Sequence, residues 1–394
     1  MLFIATCAAQ IGMGIISPIL PLYADTFSAN AFSIGLVFAA FSLARTFIAP
    51  WIGQISDRTG RRKIILIGLC GYTLVSVLYV LATALWHIGV LRFIQGAAAV
   101  MVTPIAQAYI GDITPEGKEG RYINFFYSSM FFGMALGPLI GGSLSELWSY
   151  KAAFLAMGAL SLGALGLVSW ILPESERQTS PSEPRRQHSG GGIHLIRNDA
   201  VKALSIYWMT RGFWRQGFNT FYPLFAGKLL GASESTIGLV LTVHLLGGAL
   251  FQIPFGWLAD RFRRFPQIVL GSTLAPLTMI PILFVDQVWA IILLAFLMGA
   301  FGAVSRASML AERIELGKSH GMGIMAGLQT GAFGMGQMLG PLVSGALVAL
   351  GGVKAVFPFG AAVGLIGTLL AARWLRRATR IAAVEKISRQ SGQS

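Results

Sequence analysis

The chain has 394 residues, of which 55% are hydrophobic and only 12% are charged, and its formal net charge at pH 7 is +14. Its mean hydropathy is +0.67. A soluble domain carries about twice this fraction of charged residues and could not bury so much apolar surface. Composition therefore excludes a soluble enzyme and predicts a membrane protein.

The positive charge does not indicate a nucleic-acid-binding protein. Lys and Arg lie in short clusters between apolar runs, as they do where charge sets orientation in a bilayer. The two cysteines, Cys7 and Cys70, lie inside apolar runs and match no disulfide or metal-ligand pattern. We therefore expect the lipid bilayer as a partner, and neither a metal nor another cofactor.

Apolar segments follow one another along the chain, each close to the ~20 residues that cross the hydrocarbon core as a helix. There are twelve, at residues 2–24, 33–55, 63–83, 87–110, 121–145, 152–172, 201–226, 236–258, 266–285, 288–311, 320–350 and 353–374. The first is longer than the apolar core of a secretory signal, so we expect it to be retained. The sequence predicts an all-α protein with twelve transmembrane helices.

Basic residues are distributed unequally between the two sides of the predicted helices. One set of loops carries most of the Lys and Arg residues, whereas the other carries only Lys151, Lys228 and Lys354. By the positive-inside rule, both termini are cytoplasmic. We expect a multi-pass protein of the bacterial inner (plasma) membrane.

Four short patterns recur at a single spacing of 203 residues. They pair residues 34–37 with 237–240, Gly53-x-x-x-Asp57-Arg58 with Gly256-x-x-x-Asp260-Arg261, Gly96 with Gly299, and Gly137-Pro138 with Gly340-Pro341. The stretch from residue 173 to 192 is rich in Pro, Ser and Gly, which is typical of a flexible linker. We expect two pseudo-symmetric six-helix halves, residues 1–172 and 201–374, a cytoplasmic linker at 173–200, a cytoplasmic tail at 375–394, and a binding site between the halves.

The loop after the second span reads Gly53-Gln54-Ile55-Ser56-Asp57-Arg58-Thr59-Gly60-Arg61-Arg62-Lys63. It resembles the signature loop of the major facilitator superfamily at every diagnostic position. Three patterns narrow the resemblance to the twelve-span drug:proton antiporters: Gly12-x-Gly14-x-x-x-Pro18-x-x-Pro21-x-Tyr23, Arg92-Phe93-Ile94-Gln95-Gly96 and Gly133-x-x-x-Gly137-Pro138-x-x-Gly141-Gly142. The resemblance implies the major facilitator fold and a transporter rather than an enzyme. It also implies a small-molecule substrate, with protons as the coupling ion.

The resemblance also implies a cytoplasmic gate, which this family locks with signature-loop residues and an acid at the end of span four. The corresponding residues here are Gly53, Asp57, Arg58, Gly60, Arg61 and Asp112. The counterpart in the second half would be Asp260, Arg261 and either Glu312 or Glu315. Arg62, Arg263 and Arg264 are interpreted as solvated charges.

A glycine face with a proline break runs along span five, a pattern suited to close helix packing. We predict a tight, hinged contact between the halves, formed by Gly133, Gly137, Pro138, Gly141, Gly340 and Pro341.

Ionisable residues at bilayer depth indicate function, and here all five are arginines: Arg45, Arg92, Arg211, Arg215 and Arg306. Arg45 lies about 16 Å of helix rise from either end of its span, too far for its side chain to reach water. For Arg92 and Arg306 that distance is about 8 Å, so reaching the interface is an alternative role. Arg211 and Arg215 share one helix face with Asn219 and Tyr222, and their alternative role is structural, as donors to carbonyl groups of neighbouring helices.

The predicted substrate site combines most of these residues with Gln95 and His244. His244 is the mid-span residue whose unperturbed pKa lies near neutral, and a packing role is its alternative. The members of the site are Arg45, Arg92, Gln95, Arg211, Arg215, Asn219, Tyr222 and His244. Exporters of cationic drugs in the resembling family usually carry a buried carboxylate in span one, but here no acid precedes Asp25. A cavity with arginines and no acids would favour anions.

Three functions follow. The resemblance favours a proton-coupled efflux transporter for amphiphilic or drug-like molecules. The arginines favour a transporter or flippase for an anionic metabolite or lysolipid-like amphiphile. An intramembrane enzyme or sensor is disfavoured because the chain contains neither a His-Glu-x-x-His nor a Gly-x-Ser-x-Gly motif.

Overall fold

The computed structural model of the chain describes residues 2–114, 119–174 and 198–391. Within these ranges the long elements are all helices. They are α1 (Leu2–Asp25), α2 (Ala31–Thr59), α3 (Arg61–Val80), α4 (Leu85–Ile113), α5 (Glu119–Leu147), α6 (Tyr150–Ile171), α7 (Asp199–Leu229), α8 (Glu234–Leu250 continued by Gln252–Arg261), α9 (Arg264–Leu277), α10 (Val288–His320), α11 (Met322–Gly351) and α12 (Val356–Ser391).

The predicted all-α membrane fold is confirmed. Eleven of the helical spans are long and apolar enough to cross a membrane. The exception is α7, where polar residues and the two arginines Arg211 and Arg215 lower the hydropathy. The largest difference from the expected boundaries is at the end of α12, which continues through the predicted tail as far as Ser391.

Several helices begin at side chains that accept a hydrogen bond from a free backbone N–H of the first turn. Asn30 Oδ1 accepts from Ser33 N (2.8 Å) at the start of α2, and Asn198 Oδ1 accepts from Ala200 N (2.9 Å) at the start of α7. Helix α2 ends at Gly60, whose φ of +99° is readily adopted only by glycine. These local signals fix where the chain turns between spans.

The helices pack in two sets that repeat one scheme. In the first set α1 contacts α5 and α6, α2 contacts α4, and α3 contacts α4 and α6. In the second set α7 contacts α11 and α12, α8 contacts α10, and α9 contacts α10 and α12. The structure therefore has the pseudo-symmetry that the sequence repeat predicts, and contacts between the halves run through α2 with α11, α5 with α8, and α1 with α7.

The apolar core shows where the halves meet. One cluster combines buried residues of both halves, including Ile19 and Phe154 with Phe218 and Phe357. Two further clusters are each confined to one half, one around Ile65 and the other around Tyr207. The halves therefore share a core at one end of the molecule and have separate cores at the other.

Candidate functional site

The backbones of the two halves approach each other closely at two symmetry-related pairs of positions. A Cβ atom on Gly35 of α2 would overlap the carbonyl oxygen of Pro341 in α11. At the equivalent place, a Cβ on Gly238 of α8 would overlap the carbonyl oxygen of Pro138 in α5. Only glycine permits this approach of backbones. The repeated sequence landmarks therefore lie at the interface between the halves.

Polar contacts also join the halves at the end of the molecule that contains Gly35 and Gly238, which we call the closed end. Lys228 Nζ lies 2.7 Å from Asp25 Oδ1. The hydroxyl of Tyr150 donates to Glu234 Oε1 (3.0 Å). Each of these contacts joins one half to the other. Sequence reasoning did not find them, because it carries no pairing signal for residues at helix ends.

Glu146 also crosses between the halves at the closed end. Its Oε2 accepts from the backbone N–H of Ser235 (2.9 Å) and from the Ser235 hydroxyl. The carboxylate therefore serves the first turn of α8, whose free N–H groups and dipole favour negative charge. This contact too was absent from the sequence prediction.

The halves separate towards the opposite end, which carries the signature loop. Gly53 on α2 and Gly256 on α8 have no described atom within 4 Å of the place where a Cβ would lie. These glycines occupy equivalent positions of the repeat, so both sides of the molecule diverge in the same way. A cavity consequently lies between the halves.

The glycine face of α5 lies elsewhere than the sequence analysis expected. Gly133, Gly137 and Gly141 pack against the backbone of α1, in the same half, and Gly340 packs against Phe213 of α7. The contact between halves is made instead by Gly142 and the carbonyl of Pro138. The sequence pattern indicates close packing, but it does not identify the partner helix.

The gating candidates of the first half form one ion-pair cluster. Arg61 pairs with Asp57 (Nη1–Oδ1, 3.3 Å) and with Asp112 through two of its nitrogens. Gly60 turns the chain beside the Glu174 carboxylate, while Arg58 is exposed. The structure thus joins three of the named residues across α2, α3 and α4.

The second half contains a related pair between the predicted gate residue Glu312 and Arg264, which had been interpreted as a solvated charge. Arg264 Nη1 lies 3.5 Å from Glu312 Oε2. Arg261 lies over the ring of Trp257 (4.2 Å to its centroid), and Asp260 is exposed. The missed signal was the repeat itself, because Arg264 follows Arg61 by the 203-residue spacing.

The cavity has a volume of about 390 Å³ and lies between α1, α2, α4, α5, α7, α8, α10 and α11. All five arginines of the membrane region line it: Arg45, Arg92, Arg211, Arg215 and Arg306. Gln95 and Asn219, both named in the predicted site, also line it. Among the described residues, the lining contains no carboxylate.

Arg92 is fixed by neighbours of the first half. Its Nη1 donates to Gln95 Oε1 (2.9 Å), which also accepts from the Tyr79 hydroxyl (3.2 Å). The guanidinium lies 4.8 Å from the ring centroid of Phe38 and 4.6 Å from that of Phe41. Its buried Nε has no acceptor in the described part of the chain.

The arginines of the second half differ in how they are held. Arg306 Nε donates to Gln252 Oε1 (2.6 Å), and its Nη2 donates to the carbonyl of Gly248 (3.1 Å). Arg211 and Arg215, like Arg45 in the first half, have no hydrogen-bond or ion-pair partner among the residues that the structure describes. These three guanidiniums are therefore free to bind a ligand.

Two predicted site residues lie outside this lining. Tyr222 is 1% exposed and stacks on Phe218, with ring centroids 5.1 Å apart. His244 is buried, and its Nδ1 lies 3.4 Å from the carbonyl oxygen of Ala295, to which it can donate. His244 instead faces a small side pocket that adjoins the cavity.

Comparisons of the sequence with known proteins identify its relatives. The model of the Major Facilitator Superfamily matches residues 2–226 and 203–392. An MFS-type transporter of Methanocaldococcus jannaschii is 25% identical over 369 residues, which are 93% of this chain and 95% of that protein. The quinolone resistance protein NorA of Staphylococcus aureus is 25% identical over 349 residues, 86% of each chain.

Solved structures resemble the whole fold. A bacterial homologue of the human lysosomal transporter Spinster, in an inward-facing and unoccupied conformation, aligns with a TM-score of 0.74 at 16% identity. The alignment covers 97% of this chain and 94% of that one.

Proposed function

The chain belongs to the major facilitator superfamily and is a multi-pass membrane transporter, and from this premise we propose that it exports amphiphilic molecules carrying an anionic group. It works as a secondary active transporter by alternating access, in which each half rotates as a body around the central cavity. The arginine lining of the cavity carries this proposal.

Charge determines which ligand the cavity favours. Five guanidiniums share about 390 Å³, and the described lining supplies no carboxylate to neutralise them. Buried cations without a counter-charge are costly. An anionic ligand removes this cost and accepts charge-assisted hydrogen bonds, for which guanidinium has a planar fork of donors.

The unpaired hydrogen-bond donors of the cavity also favour an anionic ligand. Arg92 Nε and Trp208 Nε1 are buried donors in the lining, and neither has an acceptor among the described residues. Arg211 and Arg215 add further free donors. The cavity is therefore short of acceptors, and a ligand rich in acceptor oxygens would supply them.

The remaining lining is apolar, which favours an amphiphile over a small hydrophilic ion. Aromatic rings and thioethers line the cavity at Phe38, Phe41, Phe131, Phe333, Met13, Met130 and Met134. The volume falls within the roughly 300–1,000 Å³ of small-molecule sites. An anionic head among the arginines and an apolar body against these side chains would use both kinds of surface.

The proposed orientation places the open end in the cytoplasm. The open end carries the basic loops, so the positive-inside rule makes it cytoplasmic, with both termini on that side of the inner membrane. The conformation is then inward-facing. Transport requires the closed-end contacts to break and the signature-loop ends of α2 and α8 to approach the opposite half.

A second candidate is proton-coupled efflux of neutral or cationic drugs. The relationship to NorA, a quinolone resistance protein by name, favours it. The lining of the cavity does not favour this candidate, because a proton on His244 would add positive charge beside Arg211, Arg215 and Arg306. The two candidates differ in the charge of the substrate and in the response to a pH gradient.

Transport by proteoliposomes separates the candidates. Anionic, neutral and cationic fluorescent amphiphiles of matched size would be compared with and without an imposed pH gradient. We expect transport of the anionic compound, its loss in Arg215→Ala and partial recovery in Arg215→Lys. Arg377→Ala, an exposed position on α12, is the matched control. Preference of the wild type for the cation, together with full activity of Arg215→Ala, would refute the proposal.

A further inference from the structure

A small pocket adjoins the main cavity on the side of the second half. Its volume is about 30 Å³, and its polar lining consists of Arg211, Arg215, His244 and Arg306. Phe131 and Met134 of α5, from the first half, form part of its apolar wall. The three arginines and these two apolar residues also line the main cavity, so the pocket is a side chamber of it.

The positive charge of the pocket has no partner in the described structure. Arg211 and Arg215 make no hydrogen bond or ion pair there, and Arg306 uses Nε and Nη2 on Gln252 and Gly248 but leaves Nη1 free. Because Gly302 has no side chain, it leaves room for Arg211; a Cβ atom at Gly302 would lie only 3.2 Å from Arg211 Nη1. Three cations in one small chamber repel each other unless an anion joins them.

The size of the chamber limits what can occupy it. About 30 Å³ accommodates only one or two water-sized groups, since about 10–15 Å³ is enough for one water molecule. A whole amphiphile cannot enter, but a compact anionic group can. The polar neighbours of the pocket lie on the side of α7, α8 and α10, and the wider main cavity lies on the other side.

We propose that this three-arginine pocket is a subsite for one compact anionic group, with the apolar remainder of the ligand in the main cavity. This subsite rests on the proposed function and adds how the ligand is oriented. The ligand is asymmetric, and its anionic end points into the second half. Arg306 is then one of the residues that bind it. Phe131 lies 5.2 Å from the Arg306 guanidinium and closes the pocket from the first half. The anionic group therefore sits where the two halves meet.

Binding of a matched pair of probes tests the subsite. Fluorescent 1-pyrenebutyrate and 1-pyrenebutanol differ in one carboxylate and would be titrated into protein in phosphatidylcholine nanodiscs. We expect Arg211→Gln and Arg306→Gln each to weaken 1-pyrenebutyrate binding roughly tenfold or more, because each removes a charged hydrogen-bond donor from the carboxylate. Binding of 1-pyrenebutanol should remain, which also reports a folded cavity.

Arg45→Gln is the matched comparison, because Arg45 lines the main cavity but not the pocket. It removes the same charge, and we expect a distinctly smaller loss. If Arg45→Gln, Arg211→Gln and Arg306→Gln weaken 1-pyrenebutyrate equally, the subsite is overturned while the anion preference stands. If the wild type binds both probes equally, the proposed function fails as well.

Replacing gluconate by chloride at constant ionic strength identifies the source of the anionic group. Displacement of 1-pyrenebutyrate by chloride in the wild type, but not in Arg211→Gln, would support the subsite with a free small anion as a further occupant. Absence of displacement in the wild type would support a subsite that takes only an anion attached to an apolar body. Displacement that is unchanged in Arg211→Gln would contradict the pocket assignment.

Discussion

Lys228 and Asp25 occupy equivalent positions of the two repeats, 203 residues apart, and form an ion pair with each other. Asp25 ends α1 and Lys228 lies in the last turn of α7. Equivalent positions meet only beside the pseudo-twofold axis, so the pair spans the centre of the closed end. The two repeats have opposite charges at this one position, and their attraction holds the halves together there.

Reversing one charge of this pair should open the closed end. Lys228→Asp places two carboxylates at the axis, and we expect the equilibrium to shift towards the conformation that is open at this end. The pair is partly exposed, so its loss is worth about 0.2–1 kcal/mol, or roughly a 1.4- to fivefold change in population. Labelling of Ser17→Cys, a cavity position, by an impermeant maleimide measures access from this side.

The double reversal Asp25→Lys with Lys228→Asp is the control, because it restores an ion pair of opposite polarity. Labelling should return towards that of the wild type. Equal labelling of the single and double reversals would show that the pair does not hold this end closed.

Gly238→Ala should weaken the same closed state by a different route. The new methyl group would overlap the carbonyl oxygen of Pro138, so α8 must move away from α5. Spin labels at Trp148 and Leu229, both exposed at the closed end, should report a longer or broader distance between the halves. Gly163→Ala is the matched control, since nothing lies within 4 Å of its added Cβ. An unchanged distance in Gly238→Ala would show that the interface adapts without opening.

Much of the architecture follows from local sequence. Apolar runs of sufficient length predict the helices, and one repeated spacing predicts the two matching sets. The placement of Arg45, Arg211 and Arg215 in a common cavity was also predictable, because arginines this deep cannot face lipid. These inferences need only periodicity, helix rise and the cost of burying charge.

The positions of the other site residues could not be predicted from the sequence, because they depend on how the helices pack. Tyr222 shares a helix face with Arg215, yet it lies where the helices converge and is buried against Phe218. Arg306 was within reach of the interface, but its side chain points into the cavity and contacts Gln252. Helix rise alone does not distinguish these outcomes, since each depends on which neighbouring helix lies opposite.

The second-half ion pair gives a test of the gate. Glu312→Gln should reduce transport, because it removes the partner of Arg264 and leaves that guanidinium without a described counter-charge. Glu315→Gln is the matched comparison. Within the described part of the chain, Glu315 pairs only with Lys318 on its own helix, and both side chains are largely exposed. Transport rates per folded molecule should therefore fall for Glu312→Gln and stay near wild type for Glu315→Gln. The reverse order would move the gate assignment to Glu315.

The first-half cluster should show coupled effects. Arg61 is shared by Asp57 and Asp112, so either single Asn variant leaves one carboxylate in place. We expect each single variant to slow transport and the double variant to lose more than the sum of the two single free-energy effects, because only the double variant leaves Arg61 without either carboxylate. Initial transport rates complete the double-mutant cycle. Strict additivity would indicate that Arg61 does not couple the two acids.

The charge of the empty cavity predicts how transport is driven. Each cycle requires the cavity to be closed at both ends before it reopens, and without a ligand this closure encloses the arginines with no described carboxylate. A cost of about 1.4 kcal/mol for that step slows the return of the empty transporter roughly tenfold. Return with a second anion bound avoids the cost.

We therefore expect uptake of a labelled anionic substrate to be several-fold faster into vesicles preloaded with the unlabelled compound than into empty ones. Arg211→Gln should lessen this dependence among the molecules that still transport, because it lowers the charge that must be enclosed. Equal rates into loaded and empty vesicles, with acceleration by a pH gradient, would show instead that protons drive the cycle and that water or lipid neutralises the cavity on its return.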